Sequence, residues 1–210
     1  EIFIFNISEL QVTDDGNLYR GFNGGEAYIE DEISIKAENF EYNKITNILI
    51  ANKDVVFEDK NKNITIIAQE IIYEKNNEKV TAKGNVSIAD KSKNINIRAN
   101  KIFYSKNENL ISATDQVNYT DKNKDIVITA GEFSYYKDQE KLFARSNVEI
   151  NDIDKNIKID ADEITYLINE NKFFTQGNTL ADINSKYEFK SKNVSFLQNE
   201  MRIYSSEKTI

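Results

Sequence analysis

The phrase "INIRANKIFY", residues 95–104, decides the fold because the chain returns to it at a fixed interval. Four counterparts keep a spacing of 31 residues: "ISIKAENFEY" at 33–42, "ITIIAQEIIY" at 64–73, "IVITAGEFSY" at 126–135 and "IKIDADEITY" at 157–166. A diverged copy, "YEFKSKNVSF", begins at Tyr187, and "FIFNISELQV" begins at Phe3. Such a period indicates one supersecondary unit that buries its apolar face only by stacking on its neighbours.

Each repeat has a second half, seen in "VTAKGNVSI" at 80–88, whose apolar residues lie two apart. This period of two predicts a half-buried strand. In the first half, the apolar positions 64, 66 and 68 are in phase, whereas 71 and 73 have slipped by one residue. A slip of one residue turns side chains to the other face unless a bulge or corner restores them. We therefore expect a bulge or sheet corner after each alanine, at Gln69, Asn100, Gly131 and Asp162.

Short polar runs such as "EKNNE" at 74–78 and "DKNKN" at 59–63 separate the strands. Asn and Asp tolerate left-handed backbone conformations, so these runs predict reverse turns. Two all-β architectures fit: a parallel β-helix with one rung per repeat, and an open, elongated β jelly roll made of successive two-strand hairpins. The two polar turns in every repeat favour the jelly roll. We expect one repeat domain over residues 1–210, with repeats that start near 3, 33, 64, 95, 126, 157 and 187.

The composition excludes several functional classes. The chain has 210 residues and a formal net charge of −8, which argues against a non-specific grip on nucleic-acid phosphates or anionic membranes. It contains neither Cys nor His, so thiol nucleophiles, zinc thiolates and histidine-dependent catalysis are excluded. We see no basic-then-apolar leader at Glu1 and expect that a signal either was removed or was never present.

Three features of the sequence suggest a specific binding or catalytic site. The tyrosine row Tyr42, Tyr73, Tyr104, Tyr135 and Tyr166 resembles a base-stacking platform, but the negative charge favours a role in the core or in a groove wall. The acids at 160, 162 and 163 suggest a glycosidase pair or a Ca²⁺ site, but their alternation along a strand favours a solvated face. "FNGGEA" at 22–27 lacks the Gly-Lys-Ser/Thr phosphate signature and predicts a loop or bulge. We expect no enzyme activity, no cofactor and no metal.

The pattern I-x-I-x-A followed by Tyr, a turn and A-x-G-N-V-x-I, as in "INIRANKIFY" and "TAKGNVSIAD", resembles the OstA-like repeat of the lipopolysaccharide transport (Lpt) system. The resemblance extends from Phe3 to about Phe196, and five copies at one spacing make it specific. Within the family, the polar last repeat is most similar to the end of the N-terminal periplasmic domain of the outer-membrane lipopolysaccharide-assembly protein LptD. The bridge protein LptA is the runner-up.

The resemblance implies a V-shaped jelly roll with a hydrophobic groove that shields the acyl chains of lipopolysaccharide and passes the lipid along a head-to-tail β bridge to the outer membrane. The inward positions of the strand pattern would form this groove: Ile35, Ala37, Phe40, Tyr42, Val55, Phe57, Ile66, Ala68, Ile71, Tyr73, Val86, Ile88, Ile97, Ala99, Ile102, Tyr104, Val117, Tyr119, Ile128, Phe133, Tyr135, Val148 and Ile150.

The resemblance also implies partners and a location. Lipopolysaccharide is the expected ligand, and other OstA-like Lpt proteins are expected to stack on the terminal edge strands. We expect a periplasmic location, with a tether to the outer membrane through a C-terminal barrel that follows this segment in the same chain. The alternative is a structural or adhesive β-solenoid with a filled core and no lipid cargo.

Overall fold

A computed structural model describes residues 3–29, 32–205 and 207 of the chain. Within these residues the protein consists of antiparallel β-strands and three short 3₁₀ turns, at Lys75–Asn77, Lys137–Gln139 and Gln198–Glu200. The all-β class predicted from the repeats is confirmed. No helix in this described part is long and apolar enough to span a bilayer.

The chain divides into two compact units, Glu1–Glu108 and Asn109–Ile210. The first unit holds β1 (Ile4–Thr13), β2 (Leu18–Ile29), β3 (Ile33–Ala37), β4 (Asn39–Asn43), β5 (Ile48–Asp59), β6 (Ile64–Glu74), β7 (Lys79–Asp90) and β8 (Ile95–Ser105). Its strands pair antiparallel in chain order, and β3 and β4 together take one place between β2 and β5.

The second unit follows the same plan. It holds β9 (Leu110–Asp121), β10 (Ile126–Tyr136), β11 (Lys141–Asp152), β12 (Ile157–Leu167), β13 (Lys172–Ile183), β14 (Tyr187–Lys192), β15 (Val194–Leu197) and β16 (Arg202–Ser205). The strands from β9 to β13 again pair in chain order, β14 and β15 both pair with β13, and β15 pairs with β16. The one-domain organisation over residues 1–210 stays a prediction.

A row of β-bulges crosses each unit at the positions expected from the phase slip. Between β5 and β6, the single residue Gln69 lies opposite the pair Lys53 and Asp54, whose φ angles are 65° and 49°. Gly131 and Asp162 lie opposite equivalent pairs in the second unit. The bulge positions are therefore confirmed, but the extra residue lies on the partner strand. Two consecutive left-handed residues opposite one residue bend a sheet sharply.

The bends fold the sheet of each unit so that its two halves face each other across an apolar interior. In the β5–β6 ladder, Phe57 is paired with Ile66, whereas Tyr73 is paired with Leu49 in the other half of the strands. Nevertheless the rings of Phe57 and Tyr73 have centroids 5.7 Å apart. In the second unit, Tyr119 and Tyr135 make the same kind of contact at 6.5 Å. Each unit is thus two facing β layers formed by one bent sheet.

The predicted turns form two rows in each unit, because the strands run back and forth between the same two edges. Turn row 1 consists of residue 32 and turns 60–63 and 91–94 in the first unit, and of turns 122–125, 153–156 and 184–186 in the second. Turn row 2 consists of turns 14–17, 44–47, 75–78 and residues 106–108 in the first unit, and of turns 137–140, 168–171 and 198–201 in the second. Backbone hydrogen bonds join successive turns of a row, as from Lys91 N to Asn63 O at 3.0 Å.

Candidate functional site

Every residue assigned to the groove by the sequence lies in the interior of its unit, and none is more than 8% exposed. The aliphatic side chains, such as Ile66, Ile97 and Ile128, are 0–1% exposed. The alanine row at 37, 68, 99, 130 and 161 is the most exposed part of this lining, at 5–8%, and lies beside the bulges. The structure therefore brings the predicted groove residues together as a packed lining. Their role in lipid binding stays a prediction.

The tyrosine row belongs to this interior, as the negative charge of the chain led us to expect. Tyr104 and Tyr166 are fully buried, and Tyr42 and Tyr73 are 3% exposed. Near the N-terminal end of the first unit, Phe3 packs edge-on against Tyr42 with ring centroids 4.9 Å apart. Buried rings cannot stack on nucleic-acid bases, so the base-platform alternative has no accessible surface here.

A second periodic set, Asp59, Asp90, Asp121 and Asp152, is also buried, at 1–3% exposure. Each of these aspartates ends a strand and begins a turn of turn row 1. One carboxylate oxygen accepts hydrogen bonds from the turn backbone, as in Lys62 N to Asp59 Oδ1 at 3.0 Å and Asn123 N to Asp121 Oδ1 at 2.9 Å. The local sequence around these aspartates indicates only a turn. Their period of 31 residues was the signal that marked them as a set.

In the first unit, polar side chains connect turn row 1 to turn row 2. The Tyr104 hydroxyl, beside turn row 2, donates to Asp59 Oδ2 at 3.3 Å. The Lys106 ammonium reaches across to Glu32 at 3.3 Å and also contacts Glu78 of its own row at 3.4 Å. The Lys106 side chain is only 14% exposed. We call this line of contact between the two rows the seam, because it closes the interior on the side opposite the bulges.

The seam of the second unit uses other residues for the same purpose. Lys124 of turn row 1 donates from Nζ to the Ile168 carbonyl and to Asn171 Oδ1 of turn row 2. Gln198 of turn row 2 donates from Nε2 to Asp152 Oδ2 at 2.5 Å and accepts from the Tyr166 hydroxyl at 3.4 Å. Among the described contacts, Lys106 thus spans the seam of the first unit and Lys124 that of the second.

Burial and neighbouring charge alter the acid–base properties along the seam. Burial raises the pKa of Tyr104, and the Asp59 carboxylate raises it further, so the hydroxyl stays a donor. Burial alone would lower the pKa of Lys106, but Asp59, Glu32 and Glu78 outweigh it and raise the pKa. Burial lowers the pKa of Lys124, only partly opposed by Asp121 and Glu140. Burial raises the pKa of Asp121.

The other candidate features have a structural explanation. "FNGGEA" lies within β2, where Asn23 and Gly24 have φ angles of 63° and 82°, so the predicted bulge is confirmed. Asp160 has a side chain 47% exposed and contacts Lys158 at 4.0 Å, as expected for a solvated face. Among residues 3–29, 32–205 and 207, no group of three acidic, His or Cys side chains is placed to hold a metal ion.

Cavities occur outside the packed lining. One of about 840 Å³ lies beside the bulges of the second unit, against charged residues that include Glu149, Asp160 and Lys190. A smaller one, of about 370 Å³, lies on the seam of the second unit between Lys124, Asn171 and Gln198. The seam is therefore a place where the two layers are joined by separate polar contacts and not by continuous packing.

Comparisons with known proteins give a partial likeness. The structure is similar to LptH, described as the LptA homologous periplasmic component of the conserved lipopolysaccharide transport device from Pseudomonas aeruginosa, with a TM-score of 0.49 and 17% sequence identity. The match covers 56% of this chain and 84% of that chain. No family model matches the sequence, and no curated protein matches it.

Proposed function

We propose that this chain is a periplasmic lipopolysaccharide-transport protein of the OstA-like family, whose interior holds lipid acyl chains. The observation that carries the proposal is the apolar lining of each unit, which successive repeats supply from the same positions, with the buried hydroxyl pair Thr175 and Thr179 taking two of these positions in β13. The repeat pattern of "INIRANKIFY" and "TAKGNVSIAD" supplies the family resemblance. The partial likeness to LptH agrees with the proposal but carries no weight in it.

The free energy of burying acyl chains favours a protein that passes lipid on over a protein that stores it. Each methylene hidden from water contributes about 0.8 kcal/mol, so several acyl chains would be held too tightly if their only alternative were water. Passing a chain between two similar interiors nearly cancels this free energy. Because the lining side chains pack against one another, an incoming acyl chain must separate the two layers, and its own burial offsets the lost contacts.

Photocrosslinking tests the proposal without altering the protein. Lipopolysaccharide with a diazirine on an acyl chain is bound and irradiated, and the adducts are mapped by mass spectrometry. We expect adducts on Ile66, Ile97 and Tyr104, which face the interior, and none on Ile67, which is 51% exposed on the outer face. Ile66 and Ile67 are adjacent residues of one type, so they form a matched pair. Adducts on outer positions alone, or no adducts, would contradict lipid binding in the interior.

A second candidate function is favoured by the near-complete burial of the lining. A repeat array with a filled core and no cargo, acting as a structural or adhesive protein, would show the same exposures of 0–8%. Such a protein should bind no acyl chain, and saturating lipopolysaccharide should leave its thermal unfolding midpoint unchanged. A ligand that binds only the folded state raises that midpoint.

The proposal extends to assembly through terminal strands. Among the described residues, β1 pairs only with β2 and β16 only with β15. Along β1, the side chains of Ile4, Leu10 and Val12 are 41–51% exposed. Exposed edges of this kind can add a strand of a second protein. We expect other OstA-like Lpt proteins to dock at one of these edges, as in an LptD-like or LptA-like position in the bridge, and an LptD-like chain would continue into an outer-membrane barrel.

Docking can be tested by placing a photoreactive amino acid singly at Val12 of β1, at Tyr204 of β16 or at Ile67 of the central strand β6, mixing the chain with LptH and irradiating. Crosslinks from one terminal strand alone are expected. The substitution Leu10→Lys places a charge on the β1 edge and should weaken the complex at that end, whereas Ile153→Lys changes a residue 58% exposed on a central turn and serves as the control. Crosslinks through the central strands would contradict edge docking.

A further inference from the structure

At the seam of each unit, the described contacts between the two layers are polar contacts between separate turns. On the opposite side the layers are covalently continuous, because every strand that carries a bulge runs through the bend. Within the layers, backbone ladders join neighbouring strands over about their whole length. Any route by which a bulky apolar chain enters sideways must therefore pass either the backbone ladders or the seam.

The described contacts across the seam are polar and differ in kind from the packed interior. In the first unit they include Tyr104 to Asp59 at 3.3 Å and Lys106 to Glu32 at 3.3 Å. Glu32 is 45% exposed in its side chain, so water can replace this partner when the rows separate. Lys106 then keeps its contact with Glu78, because both belong to turn row 2. The ammonium therefore has a carboxylate partner in the closed arrangement and also when the seam is open.

The second unit has a comparable arrangement. Lys124 contacts Ile168 O and Asn171 Oδ1 across the seam, and the Asp121 carboxylate of its own row raises its pKa against the effect of burial. Opening would break the contacts of Lys124 with turn row 2 and leave it beside Asp121 of its own row. In both units the spanning lysine thus gives up its contacts with the other row on opening but keeps a carboxylate neighbour, so opening costs polar contacts and leaves no isolated charge.

We infer that the seam is the lateral entrance to the interior and that Lys106 and Lys124 are its latch residues, which close the two turn rows over the acyl-chain space. This inference rests on the proposed function and adds to it the path of the lipid. The two rows separate, an acyl chain enters between the layers, and the rows close again with the polar part of the lipid outside. Entrance through the ends of the bent sheet is the competing path.

A reducible tether tests the path. The chain has no Cys, so Lys106→Cys with Glu32→Cys introduces the only two thiols, and a disulfide-containing bismaleimide then joins the two rows across the seam. The matched control is Lys106→Cys with Glu78→Cys, which joins two turns of the same row and leaves the seam free. The readout is the rate of fluorescence gain with 1-N-phenylnaphthylamine and with lipopolysaccharide carrying a fluorescent acyl chain.

Relative to the same double-Cys protein without the linker, we expect the tether across the seam to slow uptake at least tenfold and the tether along the row to leave uptake within twofold, and cleavage of the linker should restore the rate. Equal uptake by the two tethered proteins would overturn the seam as entrance and leave the proposed function intact. No uptake by the unmodified protein would overturn both. Lys124→Cys with Asn171→Cys repeats the experiment in the second unit, with Asn109→Cys and Asp138→Cys as its same-row control, should the Glu32 variant fail to fold.

Untethered variants give an independent readout. Lys106→Met removes the ammonium but keeps much of the apolar stem, so uptake should become about three- to tenfold faster if one polar contact of the usual strength is lost from the closed state. Lys83→Met breaks an exposed ion pair with Glu70 at 2.9 Å away from the seam and should leave the rate unchanged. Unchanged or slower uptake by the Lys106 variant would overturn its role as a latch.

Discussion

At the scale of single residues, the buried aspartates are the feature that separates this chain from a plain repeat of amphipathic strands. Asp59 joins its own turn through Oδ1 and receives the Tyr104 hydroxyl at Oδ2, so one side chain serves both a local turn and a contact 45 residues away. A buried carboxylate is tolerated only when hydrogen bonds replace its hydration. The Tyr104 hydroxyl therefore stabilises the buried Asp59 carboxylate.

Tyr104→Phe should destabilise the first unit, because it removes a donor from a buried carboxylate and leaves the ring in place. Loss of a hydrogen bond to a charged group costs about 1.5–3 kcal/mol. Tyr42→Phe is the matched control, since its hydroxyl donates to the neutral, part-buried Asn47 at 2.9 Å and its loss should cost about 1 kcal/mol or less. Urea unfolding measures both, and equal losses would contradict the special role of Asp59.

Asp121→Asn tests the cost of a buried charge through its pH dependence. Burial raises the pKa of Asp121 above its ordinary value of 3.8, so the folded state binds this proton more tightly than the unfolded state. Wild-type stability therefore gains from this group as pH falls through the raised pKa, and loses that gain as pH rises. An asparagine side chain keeps an acceptor for the backbone N–H groups of Asn123 and Lys124 but has no such dependence.

We therefore expect the stability of the Asp121→Asn variant, relative to wild type, to increase as pH rises from about 4 towards neutrality, the range in which an acid with a raised pKa ionises. Chemical unfolding at a series of pH values measures this difference. A difference that is constant with pH, or that decreases, would show that the carboxylate is stabilised by its neighbours and not penalised by burial.

At the scale of the strand, the bulge is the element that turns a flat meander into two facing layers. The first residue of each bulged pair has a left-handed backbone, with φ angles of 65–83° at Lys53, Gly84, Ser146 and Gly177. Whether a side chain fits at this first position depends on the size of the residue opposite it on the neighbouring strand. A Cβ on Gly84 would lie 2.9 Å from Gln69 Cβ, whereas Ser146 lies opposite Gly131, which has no side chain.

This complementarity predicts a double-mutant result. Gly84→Ser should destabilise the protein by about 1–2 kcal/mol, since it adds left-handed strain and crowds Gln69. Combining it with Gln69→Gly reproduces the arrangement of Ser146 opposite Gly131 and should recover part of that loss, although Gln69→Gly alone weakens a strand. Urea unfolding of the four proteins measures the coupling, and simple additivity of the two losses would contradict the packing argument.

The strands, the turns and the position of each bend could be predicted from the sequence, because each of them has its own local pattern of apolar and polar residues. The phase slip after Ala68 marks the bend at Gln69, and the polar runs mark the turns. It did not predict the seam, since the partners Tyr104 and Asp59 are joined by the bending of the sheet and not by any local period. The phase slip also did not show which strand carries the extra bulge residue, because Gly84 fits the alternation of its own strand.

At the scale of the whole molecule, the sequence pattern predicts which side chains face the interior, and their packing determines whether that interior is a groove for a ligand or a filled core. The alternation of Ile, Val and Tyr predicted which side chains share an interior, but the same pattern fits a groove that waits for a ligand and a core that needs none. Packing against facing residues decides between them, and the sequence pattern does not determine that packing. The structure shows a lining that is 0–8% exposed, so under the proposed function an acyl chain enters only if the two layers move apart.

The net charge of −8 gives a final prediction about how a phosphorylated lipid binds. If acyl chains supply the binding free energy, the protein and an anionic ligand such as lipopolysaccharide repel each other over distances that salt screens, with a Debye length of about 10 Å at 0.1 M. Raising NaCl from about 50 to 500 mM should leave the affinity unchanged or strengthen it up to a few-fold, because screening reduces the repulsion. The uncharged probe 1-N-phenylnaphthylamine is the control and should respond only weakly to salt. A marked loss of lipopolysaccharide affinity at high salt would mean that basic residues grip the phosphates, and binding in the apolar interior would then no longer explain recognition.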